Sequence, residues 1–241
     1  VFAEYKAKYT AEETRGFVDH MAGVLGAILF GLTLTGVIVA PLLVMALAPG
    51  FLDEPHKYGL TVQMLRITFP YIFFISLVAM AAGILNTYGR FGAAAFTPVL
   101  LNLSLIGAAV WLAPRLDEPV LALAWGVFIA GVVQLLFQIP FLRGLRMLPR
   151  PRLRLRERHH GVARVFKLML PAIFGVSVAQ INMLVNTLLA SFLVTGSVSW
   201  LYYSDRLMEF PLGVFGIALA TVILPSLARR HAKKSHEDFS H

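Results

Sequence analysis

Uncharged apolar runs alternate with short charged segments along most of the chain. Residues 21–48, 67–87, 91–113 and 119–142 each contain no charged residue and consist mostly of aliphatic and aromatic side chains. A helix that crosses a bilayer needs about 20 mostly apolar residues. Each of these four runs therefore predicts one membrane-spanning helix.

A longer uncharged stretch, from 168 to 204, exceeds what one crossing requires. The tripeptide "TGS" at 195–197 predicts a turn inside it, because Gly with small polar neighbours interrupts helices. The stretch then divides into a fifth span at about 168–193 and a sixth at about 200–228. All six runs are apolar around the whole helix, which excludes a soluble amphipathic bundle. The pattern predicts an all-α, polytopic membrane bundle with six helices in this chain.

Composition supports the same class. Of the 241 residues, 58% are hydrophobic and 14% are charged, and the mean hydropathy is +0.73, whereas soluble domains carry about 25% charged residues. The lack of cysteine excludes disulfide scaffolds, thiolate metal sites and cysteine nucleophiles. No phosphate-binding loop, dinucleotide-binding glycine pattern or zinc-hydrolase motif occurs. Adjacent His159 and His160 do not share a helix face, so neither a metal nor a cofactor is predicted.

The net charge of +8 is distributed unevenly among the loops. The segments on one side of the membrane are those before span one, between spans two and three, between spans four and five, and after span six. They hold seventeen Lys and Arg residues, whereas the loops on the opposite side hold three. Lys and Arg collect in cytoplasmic loops, so both ends of the chain are predicted to be cytoplasmic. Because topology accounts for the basic character, no nucleic acid partner is expected.

The segment "LRGLRMLPRPRLRLRERHHG" (142–161) is the clearest joint in the chain. It predicts a basic cytoplasmic linker at 143–161 between a four-span unit at 1–142 and a two-span unit at 162–229. A polar cytoplasmic segment follows at 230–241. A solvated loop is the favoured interpretation of the linker, although its alternating Arg and Leu also suit contact with anionic lipid head groups.

Prolines and amides interrupt several spans. A proline removes a helical hydrogen bond and kinks its helix, which favours a mobile transporter over a static bundle. The prolines concerned are Pro70, Pro98, Pro171 and Pro211. Amides lie in the fourth span (Gln134, Gln138) and the fifth, where Asn182 and Asn186 share a face and Gln180 is near them in sequence. They predict either interhelical hydrogen bonds, worth about 0.6 kcal/mol each, or the wall of a polar cavity.

Three charges lie in "SWLYYSDRLMEFPLG" (199–213), beside strongly apolar sequence. Asp205 and Glu209 are four residues apart on one helix face, and Arg206 precedes Glu209 by three. A charge at the bilayer centre costs at least about 2.5 kcal/mol on insertion scales, which makes it a functional candidate by default. Held by the two carboxylates, Arg206 would offer a planar fork of donors suited to phosphate oxygens.

An interfacial anchor is the alternative interpretation of Arg206. Leu227 follows Arg206 by 21 positions, a rise of about 31 Å in a helix, enough to span the membrane with Arg206 at the outer interface. Trp200, Tyr202 and Tyr203 would then form an aromatic belt. The residues alone leave both interpretations open.

Two segments of the chain, 65–102 and 175–229, closely resemble the MurJ (MviN) family. The second contains the long motif "GSVSWLYYSDRLMEFPLGV" (196–214). Members of this family are lipid II flippases of the multidrug/oligosaccharidyl-lipid/polysaccharide exporter superfamily. The resemblance implies a fourteen-helix protein with two lobes around a central cationic cavity, of which this chain holds helices three to eight. The start "VFAEYKAKYT", without an initiator Met or a signal peptide pattern, likewise predicts a fragment.

The resemblance also implies roles for residues of the motif. By position, Arg206 matches the essential cavity arginine of the family's eighth helix, Asp205 and Glu209 match the acidic residues beside it, and Ser199 matches a cavity-facing serine. The implied role of Arg206 is a charge-assisted contact with a lipid-linked diphosphate. Near Asn186 the family's seventh helix can carry a cation-coordinating acid, and this chain has an amide instead.

The implied function is translocation of an undecaprenyl-diphosphate-linked peptidoglycan precursor between leaflets of the bacterial cytoplasmic (inner) membrane by alternating access. Such transport involves no covalent chemistry and no cofactor. Expected partners are lipid II, membrane lipids and cell-wall synthesis proteins. Two alternatives stay open: a flippase for another polyprenyl-linked glycan or a drug exporter of the same superfamily, and a non-transporting membrane scaffold for cell-wall enzymes.

Overall fold

Helices form all the regular structure in residues 1–151 and 160–211, which are the residues that this computed structural model describes. The helices are α1 (Phe2–Lys8), α2 (Ala11–Leu47), α3 (Pro55–Thr68), α4 (Tyr71–Thr87), α5 (Phe91–Gly107), α6 (Leu121–Gly144), α7 (His160–Ser191) and α8 (Ser197–Pro211). A π-helical turn at Ala108–Leu112 extends α5. These two ranges contain no strand, and the predicted all-α fold is confirmed.

Five stretches of helix are long and apolar enough to cross a membrane. They are Ala11–Leu47, Pro55–Thr87, Phe91–Arg115, Leu121–Gly144 and Gly161–Ser191. These stretches coincide with the first five predicted spans to within two residues at each predicted end that they do not reach, so the chain is a multi-pass membrane protein. The predicted sixth span, 200–228, is described as far as Pro211, and its remainder lies outside the described residues. The cytoplasmic position of both chain ends stays a prediction.

The start of α2 lies at Ala11, well before the uncharged run that begins at Met21. Thr10 is the N-cap: the backbone N–H of Glu13 donates to Thr10 Oγ1 at 3.3 Å, and the backbone N–H of Thr10 donates to Glu13 Oε2 at 2.9 Å. This capping box satisfies N–H groups that a helix start leaves unpaired. It therefore extends α2 beyond the apolar run, and one continuous helix joins a charged first part to a membrane-spanning part.

The predicted kink at Pro70 is a break between two helices, because α3 ends at Thr68 and α4 begins at Tyr71. Proline cannot donate the backbone bond that would continue the helix. The ring of Phe69, at this break, packs so closely on α2 that a Cβ atom at Gly36 would overlap it. Glycine at position 36 thus permits the approach of α2 to the break. Pro98 and Pro171 lie inside continuous helices.

One end of the bundle is held by an apolar cluster. Side chains from α2, α4, the end of α6 and the start of α7 form it: Phe17, Val18, Met21, Ala81, Ile84, Leu85, Leu142, Met147 and Val162, with Ala93 of α5. Within a bilayer such side chains are held together by close van der Waals packing. The cluster therefore holds together helices that are distant in sequence.

The short helix α1 fastens the start of α7 to this end. The Tyr5 ring stacks on Phe17 of α2, with ring centroids 4.4 Å apart. The Glu4 carboxylate pairs with Arg164 of α7 at 2.8 Å. Lys6 Nζ donates to the carbonyl of Thr87 at 2.8 Å, which satisfies an acceptor at the end of α4. The three contacts tie α1 to α2, α4 and α7.

The chain divides into two compact units, Val1–Leu184 and Val185–His241. The boundary falls inside α7, so the first unit holds α1 to α6 and most of α7. The second unit holds the end of α7 and α8 among its described residues. The division into lobes at the 143–161 linker stays a prediction.

Candidate functional site

A turn at 192–196, which overlaps the predicted turn at 195–197, positions α8. α7 ends at Ser191, and Gly196 adopts a φ of +103°, which favours glycine. The Ser197 hydroxyl donates to the carbonyl of Val194 at 2.8 Å, and the Trp200 N–H donates to that of Gly196 at 2.9 Å. These bonds close the turn and start α8.

Arg206 makes two contacts along α8. Its Nη1 donates to Glu209 Oε2 at 2.9 Å, and its Nε donates to the Tyr202 hydroxyl at 3.3 Å. The guanidinium carbon lies 5.2 Å from the centroid of the Tyr202 ring. Of the two carboxylates predicted to hold Arg206, the structure places Glu209 on it; Asp205 makes no ion pair with it within the described residues.

The predicted site residues of α8 share one face of the helix. At about 100° per residue, Ser199, Asp205, Arg206 and Glu209 fall within roughly a third of the helix circumference, and Tyr202, which was not predicted as a site residue, falls within the same third. The Arg206 and Glu209 side chains are 62% and 60% exposed. A guanidinium has five N–H donors, and the two bonds above engage two of them, so donors remain for an acceptor. Sequence reasoning assigned Tyr202 to an aromatic belt; its i, i+4 spacing to Arg206 was the signal for this contact.

The amides predicted in the fifth span all lie on α7 with exposed side chains. Asn182 and Asn186 share a face, as predicted, because they are one helical turn apart. Gln180 projects from a different side of the helix, about 160° away from Asn182 at two residues' rotation. The three amides therefore do not form one cluster on α7.

The amides of the fourth span serve helix packing. Gln134 Nε2 donates to the Thr97 carbonyl of α5 at 3.0 Å, and Gln134 Oε1 accepts from the Tyr71 hydroxyl of α4 at 3.4 Å. Gln138 Nε2 donates to Thr97 Oγ1 at 3.0 Å. Both glutamines are almost fully buried. Of the two interpretations left open by the sequence, interhelical hydrogen bonding therefore holds for these residues.

A metal centre has no support among the described residues, which contain no group of three or more His, Asp or Glu side chains placed to hold an ion. His159 lies outside the described residues. His56 and Glu118 form a surface pair at 2.9 Å. On α8, by contrast, an exposed guanidinium has an aromatic ring and a carboxylate beside it, and such a guanidinium can bind phosphate oxygens.

Comparison with known proteins identifies relatives along the whole chain. A sequence profile of the family described as "Lipid II flippase MurJ" matches residues 1–241. A probable lipid II flippase MurJ of Haemophilus influenzae is 47% identical over 241 residues, covering 97% of this chain and 47% of the relative. A probable lipid II flippase MurJ of Vibrio cholerae and a lipid II flippase MurJ of Burkholderia cenocepacia are each 46% identical, covering 100% of this chain and 47% of the relative.

The chain thus spans about half the length of the curated relatives that it matches. The match extends across both compact units and includes α8 with its charged face. The resemblance seen in the sequence is confirmed, and the chain belongs to the MurJ lipid II flippase family.

Proposed function

We propose that this chain forms part of a lipid II flippase and supplies a diphosphate-binding arginine to it. The substrate would be the undecaprenyl-diphosphate-linked peptidoglycan precursor, moved from the inner to the outer leaflet of the cytoplasmic membrane by alternating access. Both ends of the chain would lie in the cytoplasm. The observation that carries the proposal is the Arg206 face of α8, in a chain that matches the flippase family throughout.

The chemistry of Arg206 suits a diphosphate. Glu209 neutralises part of its charge and the Tyr202 ring supports one face of the guanidinium. Such a pair lowers the desolvation penalty of an unoccupied cationic site and still leaves N–H donors for phosphate oxygens. Ser199 lies about two turns before Arg206 on the same face, where its hydroxyl would donate to a sugar or phosphate oxygen. Flipping makes and breaks no covalent bond, so these residues bind and orient only.

The proposal also gives a role to the asparagines of α7. Asn182 and Asn186 are exposed and share one face, and they would line the polar path that the head group follows. Gln180, on another side of α7, would contact a neighbouring helix instead. Cell-wall synthesis proteins are proposed as further partners, because the transported precursor is their substrate.

The test uses the native gene product that carries this chain, expressed in cells depleted of their own lipid II flippase. Lipid II in the outer leaflet is measured for wild type, Arg206→Lys and Arg90→Lys at matched protein levels. Arg90, the N-cap residue of α5, forms no side-chain cap bond and is the matched control. Loss of a charge-assisted fork of about 1.5–3 kcal/mol predicts a roughly ten- to hundredfold loss for Arg206→Lys.

The outcomes separate the alternatives. Exposure restored by wild type and by Arg90→Lys, but not by Arg206→Lys, supports the diphosphate site. If all three restore it, the flippase function stands and Arg206 is an interfacial anchor. If none does, with each protein in the membrane, lipid II is not the substrate, and transport of another polyprenyl-linked glycan is tested next in the same cells.

A further inference from the structure

Two concavities lie one after the other along α2, both within the first compact unit. A polar pocket of about 500 Å³ is lined by Arg15 and Asp19 of α2 and by Arg146 and Arg150, which follow α6. An apolar groove of about 560 Å³ is lined by Gly26 and neighbouring small residues of α2, and by side chains of α4 and α6. The sequence suggested lipid contact for the linker arginines but indicated neither concavity, because the lining residues of α2 lie more than a hundred positions from those at and after the end of α6.

Both concavities open on the same face of α2. The lining residues recur every three or four positions, the spacing of one helix face; they are Glu12, Arg15, Asp19, Ala22, Gly26 and Phe30. This row extends for about 27 Å at 1.5 Å per residue. The uncharged run of α2 begins at Met21, so the polar pocket lies beside the charged first part of α2 and the groove beside its membrane-spanning part.

The chain after α6 runs between the two concavities and is held in place there. The backbone N–H of Arg150 donates at 2.7 Å to Oδ1 of Asp19, a carboxylate that is 2% exposed. Leu148 and Pro149 line the apolar groove from the same segment. A buried carboxylate of α2 therefore fixes the segment that carries two of the three arginines of the pocket.

The end of α6 places Arg146 with an unusual backbone conformation. The Met147 N–H donates to the Leu142 carbonyl at 3.0 Å, and the Arg146 N–H donates to that of Arg143 at 2.9 Å. This is a Schellman motif, in which glycine is usual at the left-handed position. Here the position is occupied by Arg146, with a φ of 57°. The left-handed conformation is unfavourable for arginine, so Arg146 does not stabilise this helix end. A ligand for its guanidinium would account for an arginine at this position.

We propose that the two concavities form one binding site for a phospholipid with an anionic head group. The phosphate lies among Arg15, Arg146 and Arg150, and one acyl chain follows the groove past Gly26. Charge favours an anion, because three arginines face two carboxylates and that of Asp19 is already bonded to the Arg150 backbone. The polar-to-apolar order along α2 matches the order of groups in a phospholipid. The site does not rest on the flippase proposal.

The test measures binding of phosphatidylglycerol and of phosphatidylcholine with the same acyl chains to the purified native gene product, by native mass spectrometry. Arg15→Gln and Arg150→Gln should each weaken phosphatidylglycerol binding about fivefold, the share of one basic residue near an anionic surface. Phosphatidylcholine binding should weaken less, because its phosphate meets the same arginines while its trimethylammonium group offsets the negative charge. Arg90→Gln is the matched control and should change neither. A second arm offers sn-glycerol 3-phosphate, which supplies the phosphate without an acyl chain.

A groove variant tests the acyl chain separately. A Cβ at Gly26 would meet nothing within 4 Å, and the same is true at Gly31 on another side of α2. Gly26→Leu should fill the groove and weaken binding of both phospholipids at least tenfold, whereas Gly31→Leu should leave both unchanged. Circular dichroism and the unfolding midpoint of each variant accompany the binding measurements.

Three results would overturn the site. Unchanged phosphatidylglycerol binding in the arginine variants shows that the polar pocket holds no lipid phosphate. Glycerol phosphate binding as strong as phosphatidylglycerol binding, and insensitive to Gly26→Leu, shows a site for free phosphates only. A lower unfolding midpoint for Gly26→Leu than for Gly31→Leu, with lipid binding intact, shows that protein fills the groove.

Discussion

The left-handed residue after α6 allows a comparison between two variants that share the same loss of charge. Arg146→Gly and Arg146→Ala both remove the guanidinium, so any effect of charge at the helix end cancels between them. What differs is the backbone: glycine adopts a φ of 57° without a steric penalty, and alanine does not. α4 ends with the same two bonds, and there the left-handed residue is Gly89, with a φ of 75°.

The magnitude follows from two opposing terms. A residue with a Cβ in the left-handed region costs roughly 1–2 kcal/mol, while glycine loses about 0.5–1 kcal/mol more than alanine when its backbone is ordered. We expect the free energy of unfolding of Arg146→Gly to exceed that of Arg146→Ala by roughly 0.5–1 kcal/mol. This corresponds to a factor of about two to five in the folded-to-unfolded ratio.

The assay is equilibrium unfolding of the native gene product in mixed micelles with increasing dodecyl sulfate, followed by helical circular dichroism. Phosphatidylglycerol binding is measured on the same samples and should fall equally in both variants, because neither has the guanidinium. Equal stability of the two variants, or greater stability of Arg146→Ala, would refute the left-handed geometry. The placement of Arg146 beside Arg15 would then fail with it.

Four further predictions concern contacts elsewhere in the chain. Gln134→Leu removes two interhelical hydrogen bonds and should lower the unfolding free energy by about 1 kcal/mol. Gln138→Leu removes one hydrogen bond together with a buried acceptor that has no partner, so it should be neutral or stabilising in the same assay. Gly36→Ala should destabilise by about 1–3 kcal/mol through overlap with a phenylalanine ring, and no loss would show that α2 does not approach the helix break so closely. Glu209→Gln should reduce lipid II exposure more than Asp205→Asn does, because of these two carboxylates it is that of Glu209 that pairs with Arg206 in the described structure, and equal effects would contradict the contact. Hydrogen bonding by Lys8, followed by the charge of Arg164, lowers the pKa of the Glu4 carboxylate. The ion pair between Glu4 of α1 and Arg164 of α7 should therefore be fully formed above the ordinary glutamate pKa and should open as the pH falls through the lowered pKa of Glu4. Spin labels on the two helices would report the opening, and Glu4→Gln should remove its pH dependence.

The spans were predictable because a bilayer imposes a requirement that is local in sequence: about 20 apolar residues in a row. The start of α2 was not, because a capping box formed by Thr10 and Glu13 continues the helix into charged sequence. The motif around Arg206 indicated its helix face, yet the choice of Glu209 over Asp205 depends on rotamers that spacing does not determine. Arg146 stood in the sequence as one linker arginine among many, since its φ value leaves no trace in composition.

Burial and hydrogen-bond saturation separate the polar groups that pack helices from those that suit a ligand. Gln134 is buried and bonded to two neighbouring helices, and a bonded amide that is closed to solvent can gain nothing from a ligand. Arg206 is exposed and has N–H donors that its two contacts do not use, so a ligand can still bind to it. Arg146 has a left-handed backbone conformation, which glycine would adopt at a lower cost in free energy. Departures from local rules of this kind are expected at functional positions, and Arg146 is one such departure among the described residues.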